Sequence, residues 1–259
     1  MLAASAMTAC MEVDNFDEPG AVINGRIIDS TTGEPFQTGQ GECQIRIWEM
    51  SYSEANMDHQ HSYDLQIKAD GTYTHTKLFN GTYDMLARSG PWFPCDTVYD
   101  VKIGKKNNAR QDFEITPYLK LIDFKVELID AETLHMECRL MAPCPKGKEV
   151  KGRHMPMPNV KEVRPFLSLN QFCGAGSRLD YYYSNQYRKN INKSFAAIGD
   201  VDTGLGNEIY SFDVPVKPGY TYWVRMGANC TSTGSEVTNE EVFENFCYTE
   251  VVKVEIPAK

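Results

Sequence analysis

Between Lys68 and Trp92 the chain reads KADGTYTHTKLFNGTYDMLARSGPW, two β-branched and aromatic runs punctuated by turn residues. Asp70-Gly71 supplies residues that tolerate positive φ, and Thr72, Tyr73, Thr74 and Thr76 follow with the side chains that favour a pleated strand. Asn80-Gly81 then turns the chain into Thr82, Tyr83, Met85 and Leu86, with Gly81 expected at positive φ. These residues suit strands and would make a poor helix.

The same signals recur on both sides of this stretch. Ile23, Gly25 and Ile27 alternate with polar neighbours, Asp29 to Pro35 forms a polar turn, and Cys43, Ile45 and Ile47 alternate again. At 259 residues the chain exceeds one small sandwich, and domains average roughly 100–200 residues. Thr116-Pro117-Tyr118 is the natural boundary, because proline disfavours helix before it and cannot donate within a central strand.

Beyond it Phe124, Val126 and Leu128 alternate, then Leu134, Met136, Cys138 and Leu140, as in a strand pair with one buried face. Residues 142–159, rich in Pro, Gly and Lys, read as a surface loop. After Lys217-Pro218-Gly219 a long strand carries Tyr220, Tyr222, Val224, Met226 and Ala228 on one face, with Thr221, Trp223 and Arg225 on the other. Val251, Val252, Val254 and Ile256 supply a closing strand. The expected fold is all-β, with two β-sandwich domains in tandem.

Charge narrows the partners. The net charge of −9 and pI near 5.1 argue against nucleic acid, whose phosphates demand clustered Lys and Arg. The two basic runs, Lys102 to Arg110 and Lys146 to Arg153, read as solvated loop tips. No apolar run reaches the roughly 18 residues of a membrane-spanning helix. The eight cysteines include no CxxC pair, which argues against a zinc site and leaves some as buried free thiols.

Residues 1–10, MLAASAMTAC, are small and apolar and end in Cys10. They resemble the end of a bacterial lipoprotein signal, in which the cysteine after the cleavage point receives the lipid. The basic n-region is missing and the apolar segment is short, as expected of a precursor that starts upstream. Residues 11–19 are acidic and aperiodic and read as a tether.

Larger resemblances follow from the motifs already quoted. The order of the early strand, the TGEP turn, Asp70-Gly71-Thr72-Tyr73 and Leu78 to Tyr83 resembles the carboxypeptidase-regulatory-like, transthyretin-like sandwich. The strand PGYTYWVRMGA resembles one of immunoglobulin-like and fibronectin type III sandwiches. DNFD at 14–17, TGE at 32–34, LFNGTY at 78–83, SGPW at 89–92 and ITPYL at 115–119 together resemble a Bacteroidetes lipoprotein family, that of domain of unknown function 3823.

That resemblance implies an outer-membrane, cell-surface lipoprotein, held in the membrane by its lipid alone. It implies an accessory to the starch-utilisation-like complexes that take up glycans. The implied layout is signal remnant, Cys10 and tether over 1–19, a transthyretin-like sandwich over 20–117, and an immunoglobulin-like sandwich over 118–259.

GxSxG, HExxH, SxxK and the P-loop pattern are all missing, and small sandwiches of this kind more often bind than catalyse, so the chain is read as a non-enzyme needing no cofactor. Asp58, His59 and His61 form a DHQH cluster without an identifiable third ligand. Asp200 and Asp202 resemble the start of a calcium loop but lack its later ligands, so a plain turn is expected and no metal is assigned.

The aromatic surplus points further. Tyr181-Tyr182-Tyr183, Tyr187, Trp92-Phe93 and Trp223 include consecutive aromatics, whose side chains on a strand alternate faces, so some must point outward. Such residues can stack on sugars, form a protein interface or cover the junction between domains. Tyr181, Tyr183, Tyr187, Trp92 and Trp223 are therefore the candidate oligosaccharide-binding residues, on a loop in the tyrosine-rich case. A structural or adhesive spacer binding other surface proteins is the alternative.

Overall fold

The computed structural model describes residues 18–51, 62–231 and 245–258. Cys10, the tether motif at 14–17 and the DHQH cluster lie outside them. The first part of the chain forms β1 (Ala21–Asp29), β2 (Gln44–Glu49), β3 (Ser62–Gln66), β4 (Thr72–Leu78), β5 (Gly81–Ser89), β6 (Trp92–Phe93), β7 (Val98–Ile103), β8 (Ala109–Arg110) and β9 (Phe113–Pro117). One sheet runs β4-β1-β9-β6, with β8 also on β1, and the other β3-β2-β5-β7. The alternation in β1 places Ala21, Ile23, Gly25 and Ile27 inward, where they meet Ile45 and Ile47 of β2 and Tyr83 and Met85 of β5.

The second part forms β10 (Lys120–Asp130), β11 (Thr133–Met141), β12 (Lys148–Val150), β13 (Arg153–Met155), β14 (Val160–Ser168), β15 (Lys189–Lys193), β16 (Gly199–Asp200), β17 (Leu205–Pro215), β18 (Thr221–Cys230), β19 (Phe246–Tyr248) and β20 (Val252–Glu255). Its sheets run β10-β11-β17-β16 and β15-β14-β18-β19, with β20 also pairing β18. The described residues are thus nearly all β, two sandwiches in tandem. Among the described residues no helix is long and apolar enough to cross a membrane.

Two local expectations change. Gly71 takes φ +77°, as its turn requires, but Gly81 is absent from the positive-φ residues. The reason is topological: β4 and β5 lie in different sheets, so Asn80-Gly81 is a corner between sheets rather than a hairpin turn. Asn80 instead accepts the Lys105 amide at 2.8 Å through its side-chain oxygen. The expected strain therefore moves to Gly71, where a Cβ would also lie 2.4 Å from the Phe36 carbonyl oxygen. Gly71→Val should cost about 2 kcal/mol in urea denaturation, and Gly81→Ala clearly less. The reverse order would contradict this placement.

Within the expected loop over 142–159, β12 and β13 form a hairpin, turned by Lys151 at φ 50° and Gly152 at φ 74°. Val150 and Met155 anchor it in the core. Lys148 Nζ donates to Thr116 Oγ1 at 2.6 Å, so this basic run is partly a tie to the first sandwich.

The sandwiches share one continuous cluster of buried apolar side chains. Polar contacts reinforce the junction. Arg225 of β18 is 1% exposed and donates from both terminal nitrogens to the Thr38 carbonyl, each at 3.1 Å. Its guanidinium lies 3.5 Å over the Tyr248 ring, whose hydroxyl donates to Glu42 Oε2 at 2.6 Å. The Gly176 amide donates to the other Glu42 oxygen at 2.8 Å.

Candidate functional site

Six of the sequence-derived aromatics separate into three environments. Trp92 and Phe93 are buried: Trp92 sits edge-on to Phe36 with centroids 5.7 Å apart and donates from Nε1 to the Ala87 carbonyl at 3.1 Å. Phe93 packs on Tyr118 with centroids 4.9 Å apart. Consecutive residues do alternate here, but both faces of β6 are covered, so Trp92 cannot present a platform.

Trp223 is half-buried in a satellite cluster around Phe166, Cys173 and Phe246. It shares its face of β18 with Thr221 and Arg225. The segment between β14 and β15 folds back across it, with the Leu179 amide bonded to the Leu167 carbonyl at 2.7 Å.

That returning segment holds the tyrosine run. It forms two 3₁₀ turns, Asp180–Tyr183 and Asn185–Tyr187. Tyr183 faces inward, with the guanidinium carbons of Arg164 and Arg178 at 4.0 and 3.8 Å from its ring centroid. Arg164, 2% exposed, also donates to the Tyr183 carbonyl at 2.8 Å and to Glu162 at 3.0 Å. Tyr183 is therefore a post that fixes the turn. Tyr187 is buried as well, 5% exposed, with its hydroxyl donating to that of Tyr181. Both rings are engaged within the fold, and neither lines the groove described next.

Tyr181 remains, 62% exposed. It borders a groove of about 490 Å³ at one end of the second sandwich, where the tyrosine turn meets the β17–β18 connection. Tyr182, Val216 and Tyr222 line it from buried positions, while Leu169, Tyr181, Tyr220 and Lys217 line it from exposed ones. The Tyr220 and Tyr222 rings lie 6.2 Å apart at 31°, and those of Tyr181 and Tyr182 5.0 Å apart at 87°.

Hydrogen bonds fix the inner rings. The Tyr182 hydroxyl donates to the Pro215 carbonyl at 2.6 Å, and the Lys217 amide donates to the Tyr222 hydroxyl at 3.2 Å. Burial, then the neighbouring tyrosines, raises the Tyr182 hydroxyl above its ordinary range, so it stays a neutral donor. Tyr220, Tyr222 and Leu169 were missed as site residues. Period-two reading placed Tyr220 and Tyr222 on a buried face, and only the turn at Lys217 to Gly219 hinted that the face opens at its end.

The other expected sites resolve simply. Asp200 Oδ1 accepts the Asp202 amide at 2.8 Å and the Asp202 carboxylate pairs with Lys146 at 2.8 Å, which makes a turn. Cys43, Cys138, Cys173, Cys230 and Cys247 are buried free thiols. Among the described residues no group of three His, Cys, Asp or Glu is placed to hold a metal.

Fold and groove together define a tandem β-sandwich protein with an aromatic cleft at one end. A family model described as protein of unknown function (DUF3823), N-terminal domain, matches residues 21–116, the span of the first sandwich. Solved structures extend the likeness to the second sandwich. A candidate carbohydrate-binding protein from Bacteroides uniformis is 21% identical, with a TM-score of 0.67 over 92% of this chain and 99% of its own.

A DUF3823 family protein from the same organism gives 0.65 at 21% identity, covering 92% and 100%. One from Bacteroides ovatus gives 0.58 at 16%, covering 91% and 99%. At these identities the likeness speaks to the fold. No curated protein matches the chain.

Proposed function

We propose that this protein is a non-catalytic surface lipoprotein that binds an oligosaccharide in the groove between Tyr181 and Tyr220, as an accessory to an outer-membrane glycan uptake complex. The observation that carries the reading is the pair of exposed rings flanking a buried aromatic floor. A pyranose has an apolar C–H face that stacks on such rings, while its hydroxyls seek polar partners at the edge. The groove volume lies within the range of small-molecule sites. The likeness in fold to a candidate carbohydrate-binding protein supports the same reading.

An open groove buries little of its ligand, so affinity should be near micromolar, about −8 kcal/mol. Titration calorimetry with oligosaccharides of defined composition tests this. Tyr181→Ala with Tyr220→Ala should weaken binding by at least about tenfold, the worth of two stacking contacts. Binding that survives the double change would move the site elsewhere. No binding to any saccharide would favour the spacer reading, which the tightly bonded domain junction also suits.

The anchor is proposed from sequence alone. With the complete signal present, Cys10→Ser should release the protein from the detergent-extracted membrane fraction into the soluble one. Unchanged membrane retention would sink the lipid assignment.

A further inference from the structure

Resting on the saccharide reading of the groove, we infer that its ligand is acidic, an oligosaccharide whose carboxylate or sulfate is seated on Lys217. The hydrogen-bonding inventory of the groove points there. Its polar side chains are the phenols of Tyr181, Tyr182, Tyr220 and Tyr222 and the ammonium of Lys217, with no Asp, Glu, Asn or Gln among its lining residues. Neutral sugars present hydroxyls that donate as well as accept, and a site built for them needs acceptors such as carboxylates or amides. This groove has no carboxylate or amide side chain, its phenols both donate and accept, and its one formal charge is the positive charge of Lys217. The complementary ligand carries a negative group.

Lys217 is also the cation left over locally. No hydrogen bond or ion pair engages its ammonium among the described residues. Three acidic side chains of the neighbouring elements have partners, Asp180 with Arg178, Asp213 with His135 and Glu255 with Lys253. The Lys217 backbone is held at the groove, since its amide bonds Tyr222 and its carbonyl accepts the Tyr220 amide at 3.4 Å. On a chain of net charge −9, an unpaired cation beside stacked rings gives an anion one favourable place to land.

A uronate carboxylate and a sulfate ester share this chemistry, and calorimetry separates them. The probes are an oligogalacturonide, a sulfated galacto-oligosaccharide and a neutral galacto-oligosaccharide of equal length. The parent should prefer one or both acidic probes over the neutral one by roughly tenfold at low salt, with the preference shrinking as salt rises. Lys217→Gln, an exposed substitution, should erase the preference, and Lys217→Glu should reverse it.

Equal affinity for neutral and acidic probes in the parent would overturn the acidic ligand while leaving the saccharide site standing. A preference that survives Lys217→Gln would overturn the role of this lysine. Failure of all three probes to bind would overturn both this inference and the reading it rests on.

Discussion

Valine in place of Gly25 is expected to lower the stability of the first sandwich by about 4 kcal/mol or more, the range reached when a core is disrupted. Gly25 sits in the middle of β1, opposite Tyr73 of β4. The chain leaving β8 passes so close that a Cβ at residue 25 would lie 1.8 Å from the Gln111 carbonyl oxygen and 2.7 Å from the Tyr73 ring. The first of these obstacles is backbone, which cannot rotate away. The Gln111 amide is tied to the Asn24 carbonyl at 3.0 Å, and its carbonyl accepts the Tyr73 hydroxyl at 2.5 Å.

Relief would mean parting β1 from the parallel strand beside it, at the centre of the sheet. Tyr73→Phe is the control: it removes only the hydroxyl bond to Gln111 and should cost about 1 kcal/mol. Urea denaturation of both variants measures the contrast. A Gly25→Val protein as stable as the Tyr73→Phe protein would mean that the close approach is not a constraint.

Most strands were legible because alternation reports a buried face directly. β1, β2, β11 and the start of β18 all carry the pattern that places them. Sequence marks Asn80-Gly81 as a turn but does not show which sheets it connects, and the chain there makes a corner between sheets without positive φ at Gly81. The hairpin of β12 and β13 escaped notice because each strand has three residues, too few for a period, in a segment whose composition is that of a loop.

The site was half legible for a related reason. Alternation says that a residue points away from one core, but not whether a second layer covers the other side. Trp92 and Trp223 point toward such a layer, contributed by residues distant in the chain. Tyr181 was found because three tyrosines in a row cannot all be buried on one face. Its partner across the groove, Tyr220, lies far off in sequence, and only the folding back of the segment after β14 brings the two together.

Arg225→Met is expected to destabilise the protein by about 2–4 kcal/mol and to uncouple the unfolding of its two sandwiches. Methionine keeps much of the volume but leaves the buried Thr38 carbonyl without the two charged donors it now accepts. It also removes the cation from the face of Tyr248, the ring that carries the bond across to Glu42. These groups lie where the sandwiches meet, so their loss weakens the coupling between domains more than either interior. The parent should unfold with coincident transitions by tryptophan fluorescence, weighted to the first sandwich by Trp48 and Trp92, and by far-ultraviolet circular dichroism. In Arg225→Met the two probes should part. Tyr248→Phe, which keeps the stack and loses the hydroxyl's bonds to Glu42 and from the Ala175 amide, should cost less and leave them together. Coincident curves with an unchanged midpoint in Arg225→Met would show that the shared apolar core alone holds the domains in register, and that the buried arginine adds nothing to a rigid presentation of the groove.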